Sequence, residues 1–474
     1  MGAETDAIVV GSGPNGMAAA ITLARAGRSV TVYEAAPTIG GGCRSAELTL
    51  PGFIHDVCSA VHPLAAASPF FLNTPLKEHG LELIQPDIPL AHPQDDGSAN
   101  ALYRGVEETA GGLEQDEAAY RRLMNPLVAS SSELIEDIMA PLGLPGHPFK
   151  MAAFGLKAAR SASALGRSVF EGARARALFA GLAAHSMLPL DLSPSGGFGL
   201  MLGLLGHSAG WPVAKSGSQK IADSMGACLK SLGGEIVTGQ AVQDIEELPR
   251  ARAYLFDVGP RQLARIAGAR FPAQYLRRLA RYRYGPGVFK VDWALNEPVP
   301  WMAEKCRGAG TLHLGGAMEE IEIAEKQVSR GVVPPKPFVL FSQPSIFDDS
   351  RSPKGKHTAW GYCHVPHGSG VDMTERIEDQ VERFAPGFRD CILAKATMNS
   401  GQMEKYNGNY IGGDINGGVQ DLRQLFTRPV ARFPVYSTPD SSIYICSSSS
   451  PPGGGVHGMC GYHAARSALR RSLR

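Results

Sequence analysis

The sequence has no CxxC pair, no long apolar run, no charge excess and few aromatic residues. Its eight cysteines, at positions 43, 58, 228, 306, 363, 391, 446 and 460, are scattered through 474 residues. Neither a disulfide framework nor a metal site is expected from them, and a reducing, cytoplasmic setting is the natural reading. No apolar stretch approaches the roughly 20 residues needed to cross a bilayer. Lys and Arg number 46 against 45 Asp and Glu, a formal net charge of +1, so the basic footprint of a nucleic-acid partner is missing. With 44% apolar, 19% charged and 7% aromatic residues, the composition is globular and somewhat apolar at the surface. The length calls for two or three domains. What abounds is glycine, 56 residues, and it is clustered.

The first cluster lies in Asp6 to Glu34, DAIVVGSGPNGMAAAITLARAGRSVTVYE. Asp6 to Val10 is short, apolar and β-branched, as expected of a strand buried on both faces of a parallel sheet, and leaves no room before it for a signal peptide. Gly11 permits a tight turn, Gly13 lets backbone approach a pyrophosphate, and Gly16 lets the following helix pack on the strand. Pro14 and Asn15 open that helix, whose positive end meets the phosphates. Ser29 to Tyr33 is a second strand, and Glu34 after it can accept both hydroxyls of an adenosine ribose. GxGxxG alone is a weak signal; between a strand and a helix, with an acid 18 residues past Gly16, it predicts a dinucleotide site. Gly41, Gly42 and Arg44, in GGGCRS, then favour FAD over a nicotinamide, by passing backbone under the flavin-side phosphates.

His55, Asp56 and His62 follow where such a chain would lead toward the isoalloxazine ring, and are candidate catalytic residues. The competing reading is a polar cluster satisfied within its own turn. Residues 63–110 carry short apolar runs suited to strands of a second domain, and 114–144 turn helical. The helical stretch 150–185 holds six cations and one acid, Glu171. It suits either a peripheral contact with an anionic membrane or, preferred here, a solvated lid. Residues 195–207 are Gly-rich and apolar, fit to pack on something flat or on a helix. From 216 to 245 the pattern returns to the nucleotide domain, with strands at 235–238 and 241–245, Val242 at an adenine edge, and Tyr254 to Asp257 closing the sheet. From 285 to 365 alternation predicts an antiparallel sheet with one face covered and one open to a ligand. Asn407 to Gly418 is a Gly/Asn-rich loop of the kind kept for sites.

Near the end, GGGVHG at 453–458 matches GxGxxG again. No strand and acid can follow it, so the expectation is a return strand, Ile443 to Cys446, and a helix whose N-terminus faces the flavin pyrimidine. Gly454, Gly455, Val456 and Gly458 would line that end. His457 there is either a general acid or base or, preferred, a buried imidazole bonded to backbone.

With VVGSGPNGMAAA, GGGCRS, LFDVGPRQLARIAG, GPGVFKVDWAL, YIGGDINGG and SSSSPPGGGVHGMCGYHAA in place, the chain resembles the phytoene desaturase-like FAD oxidoreductases over nearly its whole length. Within them it looks like the bacterial relatives of pyridine nucleotide-disulfide oxidoreductase domain-containing protein 2. The resemblance implies an α/β fold: a Rossmann-like FAD domain in three segments (1–75, 213–284, 421–474) interleaved with an α+β substrate domain of antiparallel sheet and helical lid (76–212, 285–420). It implies non-covalent FAD and an apolar, unsaturated, lipid-like substrate giving a hydride to flavin N5, with oxygen or a quinone as acceptor. A flavin-dependent double-bond isomerase, an amine oxidase-like enzyme and a non-catalytic FAD scaffold are the alternatives, and an oligomer is compatible with all. Cys43 has no partner for a disulfide reductase, and Cys446-Ser447-Ser448 stands where amine oxidases end a strand in Gly-Glu. The short, Arg-bearing 150–185 region also departs from carotenoid desaturases.

Overall fold

The computed structural model describes residues 5–474. Two sheets organise them. The first has five parallel strands in the order Ile443–Ile445, Ala251–Phe256, Thr5–Val10, Val30–Tyr33, Glu235–Val237. Strands from well-separated stretches of the chain therefore meet in one sheet. Ile8, Val9, Leu255, Phe256 and Ile443 are fully buried in it, because helices cover both faces. On one face the helix Pro14–Arg25 lies against the C-terminal helix Met459–Leu469. That contact depends on absent side chains: a Cβ on Gly461 would lie 1.7 Å from the Asn15 carbonyl oxygen.

Two local expectations fail here. Residues 241–245 form no strand; the chain runs irregularly into a short turn of helix, Ile245–Glu247. Ala251–Phe256 does not close the sheet but is inserted between the first strand and Ile443–Ile445. Ile443–Ile445 is the expected return strand; its neighbour Ala251–Phe256, nearly 190 residues away, was not foreseen.

The second sheet has seven strands, in the order Ile392–Met398, Gly287–Leu295, His357–Val365, Val339–Ser342, Ala309–Leu314, Ile88–Pro93, Ala99–Leu102. All neighbours are antiparallel except Ala309–Leu314 with Ile88–Pro93. Side chains alternate between faces. One face sends Val291, Trp293, Phe341 and Cys363 into an apolar core shared with the helix Thr374–Phe384. Register places Thr311, Ser342, Trp360 and Asp292 in one row on the other face, and His313, Leu340, Tyr362 and Lys290 in the next. The edge strand Ile392–Met398 was not anticipated.

The stretch 150–185 is three helices, Pro148–Ala158, Ala162–Val169 and Ala173–Ala184. Its acids come from elsewhere: Lys150 pairs with Glu133, Arg167 with Glu322 and Arg174 with Asp96. The helix Ser195–Ser208 packs against this group, and its glycines have a structural purpose. A Cβ on Gly199 would lie 2.8 Å from the Phe179 ring, and one on Gly206 would lie 2.4 Å from Leu102. Among the described residues no helix is long and apolar enough to cross a membrane.

Candidate active site

A continuous cavity of about 1410 Å³ runs between the two sheets. At one end lie Gly11 to Asn15, Glu34, Gly41, Gly42, Arg44 and Gln240 to Gln243, including Val242; at the other lie Thr311, Leu340, Trp360 and Tyr362 of the second sheet. Gly454, Gly455, Val456 and His457 form the wall between them, and Gly16 and Gly458 stand just behind.

The nucleotide end is built by backbone close approach. A Cβ on Gly16 would be 2.0 Å from the Gly11 carbonyl oxygen, and one on Gly41 would be 3.0 Å from the Gly13 Cα, so the two Gly-rich turns touch. Gly11 at φ 99° and Gly41 at φ 55° use backbone open mainly to glycine. Glu34 is 8% exposed. Its Oε2 accepts from the Ser12 amide (3.0 Å) and hydroxyl (2.5 Å), and its Oε1 accepts from the Ala36 amide (2.8 Å) and from Arg44 Nη2 (3.0 Å). Arg44 also donates to the Thr38 carbonyl at 3.1 Å and lies over the Tyr406 ring. Asn15, 5% exposed on this wall, has an Oδ1 without a partner, suited to a ligand hydroxyl. The crowded turns, the fixed acid and the orphaned amide oxygen fit a dinucleotide.

The C-terminal segment turns at Gly453 to Gly458 and starts its helix only at Met459, beyond the glycines expected to form the helix N-terminus. A Cβ on Gly454 would lie 2.8 Å from the Asn416 carbonyl oxygen, and one on Gly455 would lie 2.4 Å from Leu64. The Gly/Asn loop 407–418 braces this turn from outside. Buried Asp414 accepts there from the amides of Gly285 (2.7 Å), Asn416 (2.8 Å) and Gly418 (2.8 Å).

The four candidate acid-base residues separate. His55 and Asp56 form a two-residue strand, paired with Ser45–Ala46, away from the cavity wall. Asp56 binds Arg351 at 2.9 Å, the Ser218 amide at 2.7 Å and the Ser45 hydroxyl at 2.7 Å. Burial would raise its carboxyl, but Arg351 and the Ser218 amide hold it below its ordinary value. Arg351, wholly buried, also binds Asp348 at 2.8 Å and the Ala214 carbonyl at 3.0 Å. Asp56 is thus the joint of four segments rather than a catalytic group. His55 accompanies it, bonded to Thr49 Oγ1 at 2.8 Å and 3.6 Å from Asp292; burial, then the Lys290 charge, lowers it to about 3.

His62 and His457 do line the cavity. His457 has both ring nitrogens engaged, Nε2 with the Gly453 carbonyl (3.1 Å) and Nδ1 accepting from the Met459 amide (3.0 Å). Burial lowers it to about 4. A neutral ring tied at both ends holds the turn and has no proton to exchange. His62 Nε2 meets Ser218 Oγ at 2.8 Å, its Nδ1 has no partner, and burial lowers it too to about 4.

Sequence reasoning missed the groups that come from far along the chain. Asp257 reaches the Gly16 amide at 2.8 Å. Trp360 and Tyr362 stack at 5.7 Å with planes 10° apart on the substrate side. His185 faces the same cavity with Nε2 at 2.9 Å from His313 Nε2. Their one signal was alternation along β-rich segments, which marks a face without saying what it faces.

Residues 9–69 match a sequence family described as NAD(P)-binding Rossmann-like domain. The chain is 25% identical to pyridine nucleotide-disulfide oxidoreductase domain-containing protein 2 of Mus musculus, covering 98% of this chain and 94% of that protein. An oxidoreductase from Methanosarcina mazei superposes with a TM-score of 0.67 at 15% identity, over 98% of this chain and 100% of the other. Over nearly its whole length the chain is similar to proteins named as oxidoreductases, and residues 9–69 carry the nucleotide-binding pattern. Cyclohexylamine oxidase from Brevibacterium oxydans IH-35A shares the fold as well, at a TM-score of 0.63 and 15% identity, over 99% of this chain and 100% of that one. At these identities the superpositions speak for architecture, and the substrate end must be read from its own residues.

Proposed function

We propose that this protein binds FAD without a covalent bond and oxidises an apolar, lipid-like molecule by hydride transfer. The observation that carries the reading is the continuity of the cavity. One space joins a dinucleotide cradle to a wall of Trp360, Tyr362, Leu340, Met201 and Phe198. An apolar molecule gains roughly 25 cal/mol per Å² of surface removed from water there, and the stacked pair offers two flat faces to an unsaturated one. The chemistry a flavin supplies is acceptance of a hydride at N5, with oxygen or a quinone as the final acceptor.

The chain's own residues bind, orient and exclude water. Glu34 fixes the ribose end and the turns at Gly13 and Gly41 leave space for phosphates. The His457-braced turn holds the middle of the cofactor, and the sheet face positions substrate opposite it. No carboxylate lines the sheet-side wall; Glu34 and Asp257 stand at the nucleotide end, and Glu136 and Asp137 on the outer helix Ser131–Ile138. Asp292, next to Trp360 in the sheet, is paired with Lys290 and lies off the cavity wall, so a protonated amine would find no free counter-charge beside the stacked rings. Anaerobic titration of the flavin-loaded protein tests this directly. Apolar alkenes and alcohols of terpene to fatty-chain size should include compounds that bleach the flavin, and primary amines should leave it oxidised. Bleaching by amines alone would reverse the assignment.

A further inference from the structure

Asp257 follows the strand Ala251–Phe256, whose last residue pairs with Val10 at the edge of the first Gly-rich turn. Its Oδ2 accepts from the Gly16 amide at 2.8 Å, and a Cβ on Gly13 would lie 2.7 Å from the same oxygen. The carboxyl therefore sits on the cavity wall against the first amides of the helix Pro14–Arg25. Those amides are what a helix offers an anion, and Pro14 contributes none. A pyrophosphate held in this turn would share one short stretch of positive backbone with the Asp257 carboxyl.

We propose that Asp257 makes cofactor affinity proton-linked: the cleft accepts the pyrophosphate of a dinucleotide when Asp257 is a neutral acid and resists it when Asp257 is ionised. The proposal rests on the FAD reading above. Burial, reinforced by the Glu34 charge, raises the Asp257 carboxyl to about 7, and the Gly16 and Gly13 amides oppose that only in part. The other groups facing it are Glu34, which is paired with Arg44, and the thiols of Cys446 and Cys460 behind the sheet, with Arg265 on the same cavity wall. Burial pushes both thiols up, Cys460 to about 12, so neither they nor the guanidinium groups change charge near neutrality.

The sign follows from linkage. Asp257 is protonated below pH about 7, so affinity is full there. As pH rises through that value the carboxylate forms, and FAD must take up a proton to bind. Affinity then falls toward roughly tenfold per pH unit. Asp257→Asn keeps an acceptor for the Gly16 amide and removes the charge.

The test is the FAD retained by holoenzyme on serial dilution, read from the fluorescence of released flavin between about pH 6 and about pH 8.5. The wild type should lose affinity roughly tenfold for each unit above neutrality, while Asp257→Asn stays flat and outbinds the wild type at the alkaline end. Equal slopes in the two proteins, a flat wild type, or an Asn variant that loses FAD at every pH would each overturn the proposal. A wild type that carries no FAD at any pH fails differently, because that removes the cofactor reading itself.

Discussion

Arg351 bonds to two carboxylates and a carbonyl with no exposed side-chain surface, so its removal strands Asp56 and Asp348 in the interior. Arg351→Met should lower stability by about 3–5 kcal/mol, since breaking a buried pair leaves an uncompensated charge. Thermal or denaturant unfolding checks it; a loss below about 1 kcal/mol would mean that water reaches the joint. His457→Ala removes two backbone bonds around the turn but leaves the close packing of Gly454 on Asn416 and of Gly455 on Leu64 in place. FAD occupancy, measured by absorbance, should survive that change. Glu34→Arg should abolish occupancy, because it places a second cation beside Arg44. At this scale the sequence was legible wherever a requirement is local. Gly11 is demanded by its own positive φ, Gly16 by the Gly11 carbonyl and Glu34 by Ser12 and Ala36, all within about thirty residues, whereas Gly13 is crowded by Asp257 from far along the chain. Asp56 was misjudged because its partner Arg351 lies 295 positions away, and Asp257 was missed because its contact with Gly16 spans 241.

Among the elements, the contact between the helices Pro14–Arg25 and Met459–Leu469 ties the chain's two ends around the nucleotide turn. Any side chain on Gly461 meets the Asn15 carbonyl, so Gly461→Ala must part the helices just where Asn15 faces the cavity. Overpacking of this kind costs about 1–3 kcal/mol. Lower FAD occupancy together with a lower unfolding temperature is the expected outcome, and unchanged values for both would contradict the packing described. Long periodic elements were readable from sequence: the strands Gly287–Leu295 and His357–Val365 lie within the 285–365 stretch where alternation predicts a sheet. Short ones were not. The strand Ile392–Met398 carries a lysine on a half-exposed edge, and 241–245 is β-like in composition but has no neighbour to pair with. The division of 150–185 into three helices comes from breaks at Ser161 and Gly172, where capping and turn geometry outweigh the apolar period.

For the whole molecule, interleaving is the governing fact. Neither sheet is made from one stretch of chain, and the cavity exists only where both are assembled. Its mouth is apolar: Leu142 and Leu144 line it while 45% and 101% exposed, and Phe149 and Leu156 of the adjoining helix are 89% and 79% exposed. We propose that this rim rests on a lipid surface and admits substrate from it. Three of the six cations of 150–185, Lys150, Arg167 and Arg174, are paired with acids, and the exposed apolar side chains of the rim would hold it there more than charge. Liposome co-sedimentation should persist when ionic strength shortens the Debye length to about 3 Å near 1 M salt, and should weaken in Phe149→Ser with Leu156→Ser. Binding lost in high salt would return the weight to electrostatics, and no binding at any salt would remove the membrane from the account.

The proposed FAD, held without a covalent bond, would lie between the turn at Gly11 to Gly16 and the turn at Gly453 to Gly458. Acid precipitation of the purified protein, with mass identification of any flavin left in the supernatant, tests it most directly. The account predicts FAD at one equivalent per chain, wholly released, and none from Glu34→Arg prepared in parallel. Flavin that stays with the precipitated polypeptide, a mononucleotide in its place, or full FAD in Glu34→Arg would contradict it.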